Sequence, residues 1–229
     1  MKVGLIFGTR PEAIKMSPVY HELKENGIDV KVVVTGQHKE MLYQVLDLFE
    51  IKPDYDLQIM KQGQGLSELT GRLMLELDKI VKQEKFDYIL VQGDTTSVLT
   101  GALTAFYNQI PVGHIEAGLR TGNIYSPFPE EANRKLVGNI ADIHFAPTDV
   151  NVNNLLKENY PKEKIIKCGN TVIDALYWVK KNKSKDIEEI KKKYGVDGKK
   201  YILITMHRRE NWGKPMEETL KAVRDYLEK

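Results

Sequence analysis

At 229 residues, with 41% hydrophobic and 29% charged side chains, the chain has ordinary globular composition, which excludes a disordered polypeptide. A formal net charge of +2 offers no global attraction to nucleic acid, so any bound anion must be held by locally placed groups. The single cysteine, Cys168, excludes an intrachain disulfide, and no run approaches the roughly 18 apolar residues of a membrane helix, so the expectation is a cytoplasmic protein without nucleic-acid or membrane partners.

Short β-branched runs alternate with longer stretches of helical spacing, the rhythm of parallel strands joined by crossover helices. The first predicted strand, residues 2–7, runs into Gly8-Thr9-Arg10-Pro11-Glu12 and a helix over 11–26. Pro11 suits a helix start, and Arg10 would stand beside the positive helix end, placed to hold a phosphate, with Lys15 about one turn further on. A strand at 29–35 and helices at 38–50 and 66–84 follow. The strand 87–91 ends in Gln92-Gly93-Asp94-Thr95-Thr96, where Asp94 is either a functional carboxylate or simply the cap of a helix over 95–107.

The strand 111–116 carries His114 and Glu116 on one side and leads to Arg120. His114 reads as a core residue and stays outside the catalytic set. After the proline-stiffened stretch Ser126-Pro127-Phe128-Pro129, a helix over 129–140 begins with Glu130 and Glu131, and Glu130 with Arg134 has i, i+4 ion-pair spacing. Further on come a strand at 142–145, a helix at 149–160, a strand at 164–167 and a helix at 171–181. A Lys-rich stretch interrupted by Asp186, Glu188, Glu189 and Asp197 reads as a solvated helical face, and a last strand, 201–205, runs into His207 before a terminal helix.

The expected fold class is α/β: a Rossmann-like parallel sheet with helices on both faces over residues 1–169. Residues 170–229, with one strand, are too few for a second such sheet and read as the beginning of another Rossmann-like domain. Ligands of open parallel sheets sit beyond the carboxyl ends of the strands, which is where Arg10, Asp94, Glu116 and Glu130 gather. Three carboxylates at one edge raise one another's cost, so the cluster reads as a site. No Walker A sequence, metal-spaced Cys/His set, G-x-S-x-G elbow or G-x-G-x-x-G turn is present, so neither a metal nor a cofactor is expected.

In order and spacing, FGTRPEAIKMSP, TGQH, QGDTTSVL, GHIEAGLRTG, SPFPEEANR, GNTVIDAL and HRREN resemble the motif series of the non-hydrolysing UDP-N-acetylglucosamine 2-epimerases, from Met1 to about Trp212. The resemblance implies two Rossmann-like domains in a GT-B-like arrangement and an isomerase interconverting UDP-N-acetylglucosamine and UDP-N-acetylmannosamine. UDP would be eliminated and re-added through a 2-acetamidoglucal. By resemblance Asp94, Glu116, Glu130 and His207 are catalytic, with the choice of base left open. Arg10, Lys15, Asp94, Glu116, Arg134 and His207 bind substrate, with His207, Arg10 and Lys15 supporting the diphosphate. Gln37, His38 and Arg72 belong to a region where bacterial members bind an activating UDP-N-acetylglucosamine, and members are commonly homodimers. The family continues for well over a hundred further residues that supply UDP contacts, so this chain alone is expected to be weakly active or inactive. A hydrolysing epimerase or GT-B glycosyltransferase, and a nucleotide-sugar binding or dimerisation module without turnover, are the competing readings.

Overall fold

The computed structural model describes residues 1–36, 39–59, 61, 63–205 and 212–227. Its first compact unit, Met1–Lys183, is built on a seven-stranded parallel sheet. The strands are β1 (Lys2–Phe7), β2 (Asp29–Val34), β3 (Tyr55–Asp56), β4 (Tyr88–Gln92), β5 (Val112–Ile115), β6 (Ile143–Ala146) and β7 (Ile165–Lys167), in the order β3-β2-β1-β4-β5-β6-β7. The order reverses between β1 and β4, the switch point at whose carboxyl ends open parallel sheets hold their ligands.

Helices cover both faces, which is why the strands are apolar on both sides. On one face α1 (Arg10–Glu25), α2 (Lys39–Leu48) and α7 (Thr171–Asn182) bury Met16, Leu42, Leu46 and Ala175 against Leu5, Phe7, Val32 and Ile115. On the other, α3 (Leu66–Glu84), α4 (Thr96–Tyr107) and α5 (Glu130–Ile140) bury Leu73, Leu77, Val98 and Val137 against Ile6, Val33, Ile89 and Val91. The helix α6 (Asp149–Lys157) seats Leu155 against Ala117 and Ala146. Alternation along β1 sends Leu5 and Phe7 to the first core and Ile6 to the second.

Two sequence expectations change. The first unit ends at Lys183 and not at residue 169, because α7 packs back on α1: Ala175 is buried, and Trp178 joins Phe49 with ring centroids 5.1 Å apart. The second unit, Ser184–Lys229, contains α8 (Ser184–Lys193) and α9 (Lys214–Leu227) but no strand at 201–205. Tyr201, Ile202, Leu203 and Ile204 are exposed, and among the described residues no segment pairs with them; a lone extended run has no ladder to join. The short β3, which the sequence analysis does not anticipate, adds an edge to β2 through Val33–Tyr55 and Val34–Asp56 pairing.

Gly8, at the exit of β1, is required by close approach. A Cβ there would lie 2.0 Å from Thr35 Oγ1 and 2.7 Å from Ser97 Oγ, two hydroxyls that bond each other at 2.8 Å. Gly8→Ala is expected to cost about 1–3 kcal/mol of unfolding free energy, as overpacked sites do. An unchanged urea midpoint for that variant would show that the β1 exit has slack which the hydroxyl pair does not display.

Candidate active site

The site begins where α1 starts. Thr9 is the N-cap, in extended conformation, and Glu12 three residues later turns back so that its Oε2 accepts from Gly8 N at 2.7 Å and Thr9 N at 2.9 Å. Its Oε1 accepts from Thr95 Oγ1 at 2.6 Å, which ties the β1 exit to the β4 exit across the switch point. Burial raises the Glu12 pKa, against the opposing pull of the hydrogen bonds from Thr95, Gly8 and Thr9. Thr95 caps α4 through Val98 N, so Asp94 is not spent on capping.

Asp94 instead receives Arg134, whose guanidinium reaches Asp94 Oδ2 at 2.6 Å and Glu131 Oε2 at 2.8 Å. Asn133 Nδ2 donates to the Asp94 carbonyl at 2.8 Å. Glu131 is fully buried, and its Oε1 accepts from Thr121 N at 3.1 Å and Gly122 N at 3.2 Å, pinning the start of the loop that leads to α5. The hydrogen bonds from Arg134, Thr121 and Gly122 outweigh the burial that disfavours its charge, so the Glu131 pKa is lowered. Arg134 therefore pairs at i, i+3 with Glu131 and not at i, i+4 with Glu130, because its side chain turns inward to Asp94. Its side chain is only 13% exposed and holds Asp94 and Glu131 together. Glu130 is half-buried and, among the described residues, its side chain makes no hydrogen bond or ion pair.

Glu116 follows β5 with a left-handed φ of 66°. Its Oε2 accepts from Lys15 Nζ at 2.5 Å and Gln92 Nε2 at 2.6 Å, and its Oε1 from Asn170 Nδ2 at 2.8 Å. Lys15 thus partners a carboxylate, whereas Arg10 is exposed at the first position of α1, touches only Met41 Sδ at 3.8 Å, and makes no ion pair among the described residues. One connected set of bonds runs from Lys15 through Glu116 and Gln92, along Gly93 to Asp94, and on through Arg134 to Glu131. The carboxyl edge of β1, β4 and β5 therefore brings together Arg10, Lys15, Asp94, Glu116 and Arg134, with Glu130 at the start of α5.

His114, beneath this edge, is buried with Nε2 2.7 Å from the Gly93 carbonyl. A carbonyl only accepts, so Nε2 carries the proton. Burial lowers the His114 pKa to about 4, so the ring is a neutral strut at physiological pH. Arg72 bonds Gln64 at 3.0 Å and approaches Glu68 at 3.8 Å, both neighbours on or beside α3. Gln37, His38 and His207 lie outside the described residues.

Sequence reasoning missed Glu12, Gln92, Glu131, Asn133 and Asn170 as site builders. Only Glu12 carried a local signal, the Thr-x-x-Glu capping pattern. A cavity of about 450 Å³ lined by Pro18, Leu23, Leu90, Ile115 and Phe145 lies under α1 and α7, but none of the charged rim residues lines it, and its apolar walls do not suit a diphosphate. Among the described residues, no group of three His, Cys, Asp or Glu side chains could hold a metal ion, and no helix is long and apolar enough to cross a membrane.

A family model described as UDP-N-acetylglucosamine 2-epimerase matches residues 21–229. The UDP-N-acetylglucosamine 2-epimerase of Bacillus subtilis is 55% identical over 226 residues, covering 98% of this chain and 58% of that protein. The Yersinia pestis enzyme of the same name is 51% identical over 235 residues, covering 100% of this chain and 62% of that protein. A crystal structure of UDP-GlcNAc 2-epimerase from Neisseria meningitidis bound to UDP-GlcNAc superposes with a TM-score of 0.86 at 51% identity, over 99% of this chain and 64% of that one. The structure of a Methanocaldococcus jannaschii UDP-GlcNAc 2-epimerase in complex with UDP-GlcNAc and UDP gives 0.80 at 35% identity, over 100% of this chain and 63% of that one. The chain thus spans about three-fifths of the length of the relatives it matches. With a model match over most of its length and a half-identical sequence, carried on the predicted parallel sheet, the chain belongs to the UDP-N-acetylglucosamine 2-epimerase family.

Proposed function

We propose that the protein interconverts UDP-N-acetylglucosamine and UDP-N-acetylmannosamine, inverting C2 by eliminating UDP and adding it back through a 2-acetamidoglucal. The C2 hydrogen is not adjacent to a carbonyl and is not acidic, so its removal must be coupled to departure of the anomeric diphosphate. A catalyst then needs carboxylates to handle one proton and cations to handle one diphosphate. The observation that carries this reading is the joining of both kinds of group at one sheet edge: Glu116 held by Lys15, and Asp94 held by Arg134, beside Arg10, which makes no ion pair among the described residues.

In this scheme Asp94, Glu116 and Glu130 are the acid and base candidates, while Arg10 and Lys15 take the diphosphate. His207 is assigned to the diphosphate by motif resemblance alone. Residues 170–229 would open the second domain in sequence even though α7 packs with the first unit. Family resemblance also supports a cytoplasmic homodimer, UDP as the second ligand, and an activating UDP-N-acetylglucosamine near Gln37, His38 and Arg72.

The test is proton NMR of UDP-N-acetylglucosamine in heavy water with the protein extended to the length of its relatives, since these residues alone are expected to be weakly active or inactive. Deuterium should enter C2, and UDP-N-acetylmannosamine should appear. Asp94→Asn and Glu116→Gln should each slow wash-in by roughly 10²–10⁴-fold, the usual scale of acid-base catalysis. Accumulation of free N-acetylmannosamine with UDP would point instead to a hydrolysing enzyme, and tight binding without any wash-in would leave only a binding module.

A further inference from the structure

Glu116 is held by donors from three separate elements, and their division between its oxygens is unequal. Oε2 takes two, from Lys15 on α1 and Gln92 at the end of β4; Oε1 takes one, from Asn170. An ionised carboxylate offers about four lone-pair sites, so three donors leave one open, and it lies on Oε1.

Asn170 cannot turn its amide the other way. It is the N-cap of α7, and its Oδ1 accepts from Val172 N at 3.0 Å, so its NH₂ must face Glu116. The cap of a helix therefore aims a side-chain donor at a carboxylate 54 residues away in sequence. Glu116 itself stands at a positive φ of 66°, a conformation that costs a non-glycine residue about 1–2 kcal/mol, and the three donors on its carboxylate help hold it there.

We infer that Asn170 is a positioning residue for the reaction: it orients Glu116 so that proton transfer at this carboxylate passes through Oε1. The inference rests on the epimerase reading for the reaction, but the contact it requires stands independently of turnover. Loss of the Asn170 donor would free Oε1 to rotate while Lys15 and Gln92 still held Oε2, so substrate would bind normally and react slowly.

Asn170→Ser and Asn170→Asp separate this role from helix capping, since both residues cap well, Ser is too short to bring its hydroxyl proton to Glu116, and Asp replaces the donor with a repelling carboxylate. In heavy-water exchange the maximal C2 wash-in rate should fall about 10–100-fold in Asn170→Ser, and further in Asn170→Asp, as expected for a misaimed group. The half-saturating UDP-N-acetylglucosamine concentration should stay within about twofold, and Tm within about 2 °C, because the cap is kept. In a spectrum of the asparagine side-chain amides, the Asn170 resonance should move upfield in Glu116→Gln, where the bond is no longer charge-assisted. Wild-type exchange rates in both Asn170 variants would overturn the inference, as would an Asn170 resonance indifferent to Glu116→Gln. No exchange in the wild-type protein at the length of its relatives counts against the epimerase reading, and the amide resonance then decides the contact by itself.

Discussion

Unfolding free energy should fall by several kcal/mol as pH drops from 6.5 towards 4, with two histidines on neighbouring strands as the main cause. His114 and His144 are register partners on β5 and β6, and each is 1% exposed. Burial lowers both pKa values from 6.5 to about 4; for His144 the nearby His114 and Arg120 add to the effect, while for His114 the bond to the Gly93 carbonyl opposes it and Arg120 adds to it. A histidine depressed in the folded state contributes its full stability above its unfolded pKa. That contribution is lost as pH falls, because the unfolded chain takes up a proton that the folded chain refuses. About 2.5 pH units at about 1.4 kcal/mol each gives roughly 3 kcal/mol per ring, with the two not additive because they are neighbours. Glu12 works in the opposite direction: burial lifts it above 4.5, so mild acid relieves part of its cost. Urea midpoints at pH 6.5, 5.5 and 4.5 read the slope directly. His144→Phe should flatten it in part, since the ring already lies 4.8 Å from that of Tyr160 and its buried Nδ1 has no partner among the described residues. A slope that is flat, or that survives this substitution intact, would mean that the histidines are not held neutral.

The same two rings mark how far local sequence carries. His114 lies within an apolar strand, two residues after Val112 and next to Ile115, so its burial is legible from β5 alone. Its bond to Gly93 comes from strand order, which residue spacing does not encode. The first strand is recovered to the residue because the run from Val3 to Phe7 lies between Lys2 and the turn residues Gly8 and Thr9, whereas β3 is two residues long and has no period to read. Residues 201–205 carry as strong an apolar run as β1, yet form no strand, because a strand is a relation between segments and their local pattern names no partner. The site divides in the same way. Arg10, Asp94 and Glu116 follow strands and were found by position; Asn170 and Gln92 act on Glu116 from 54 and 24 residues away, and nothing local distinguishes them from an ordinary cap and an ordinary strand end.

Glu130 and Glu131 make the sharpest case, because they open α5 side by side and the structure gives them different work. The buried positions of α5 include Asn133, Val137 and Gly138. Counting back in steps of seven from Val137 reaches Glu130 and from Gly138 reaches Glu131, so helical phase alone cannot choose between them. In the structure Glu131 is sealed in and closes on Arg134, Thr121 and Gly122, while the Glu130 side chain has no hydrogen bond or ion pair among the described residues. Arg134→Leu should therefore lower unfolding free energy by about 3–5 kcal/mol, since it strands Glu131 as a buried carboxylate without its cation. It should also release Asp94 and abolish C2 exchange. Glu130→Gln should leave the urea midpoint within about 0.5 kcal/mol of the parent, the scale of surface changes, while slowing exchange by roughly 10²-fold or more. Equal destabilisation by the two variants would erase the distinction, and a Glu130→Gln protein exchanging at the parent rate would remove Glu130 from the chemistry and leave the reaction to Asp94 and Glu116.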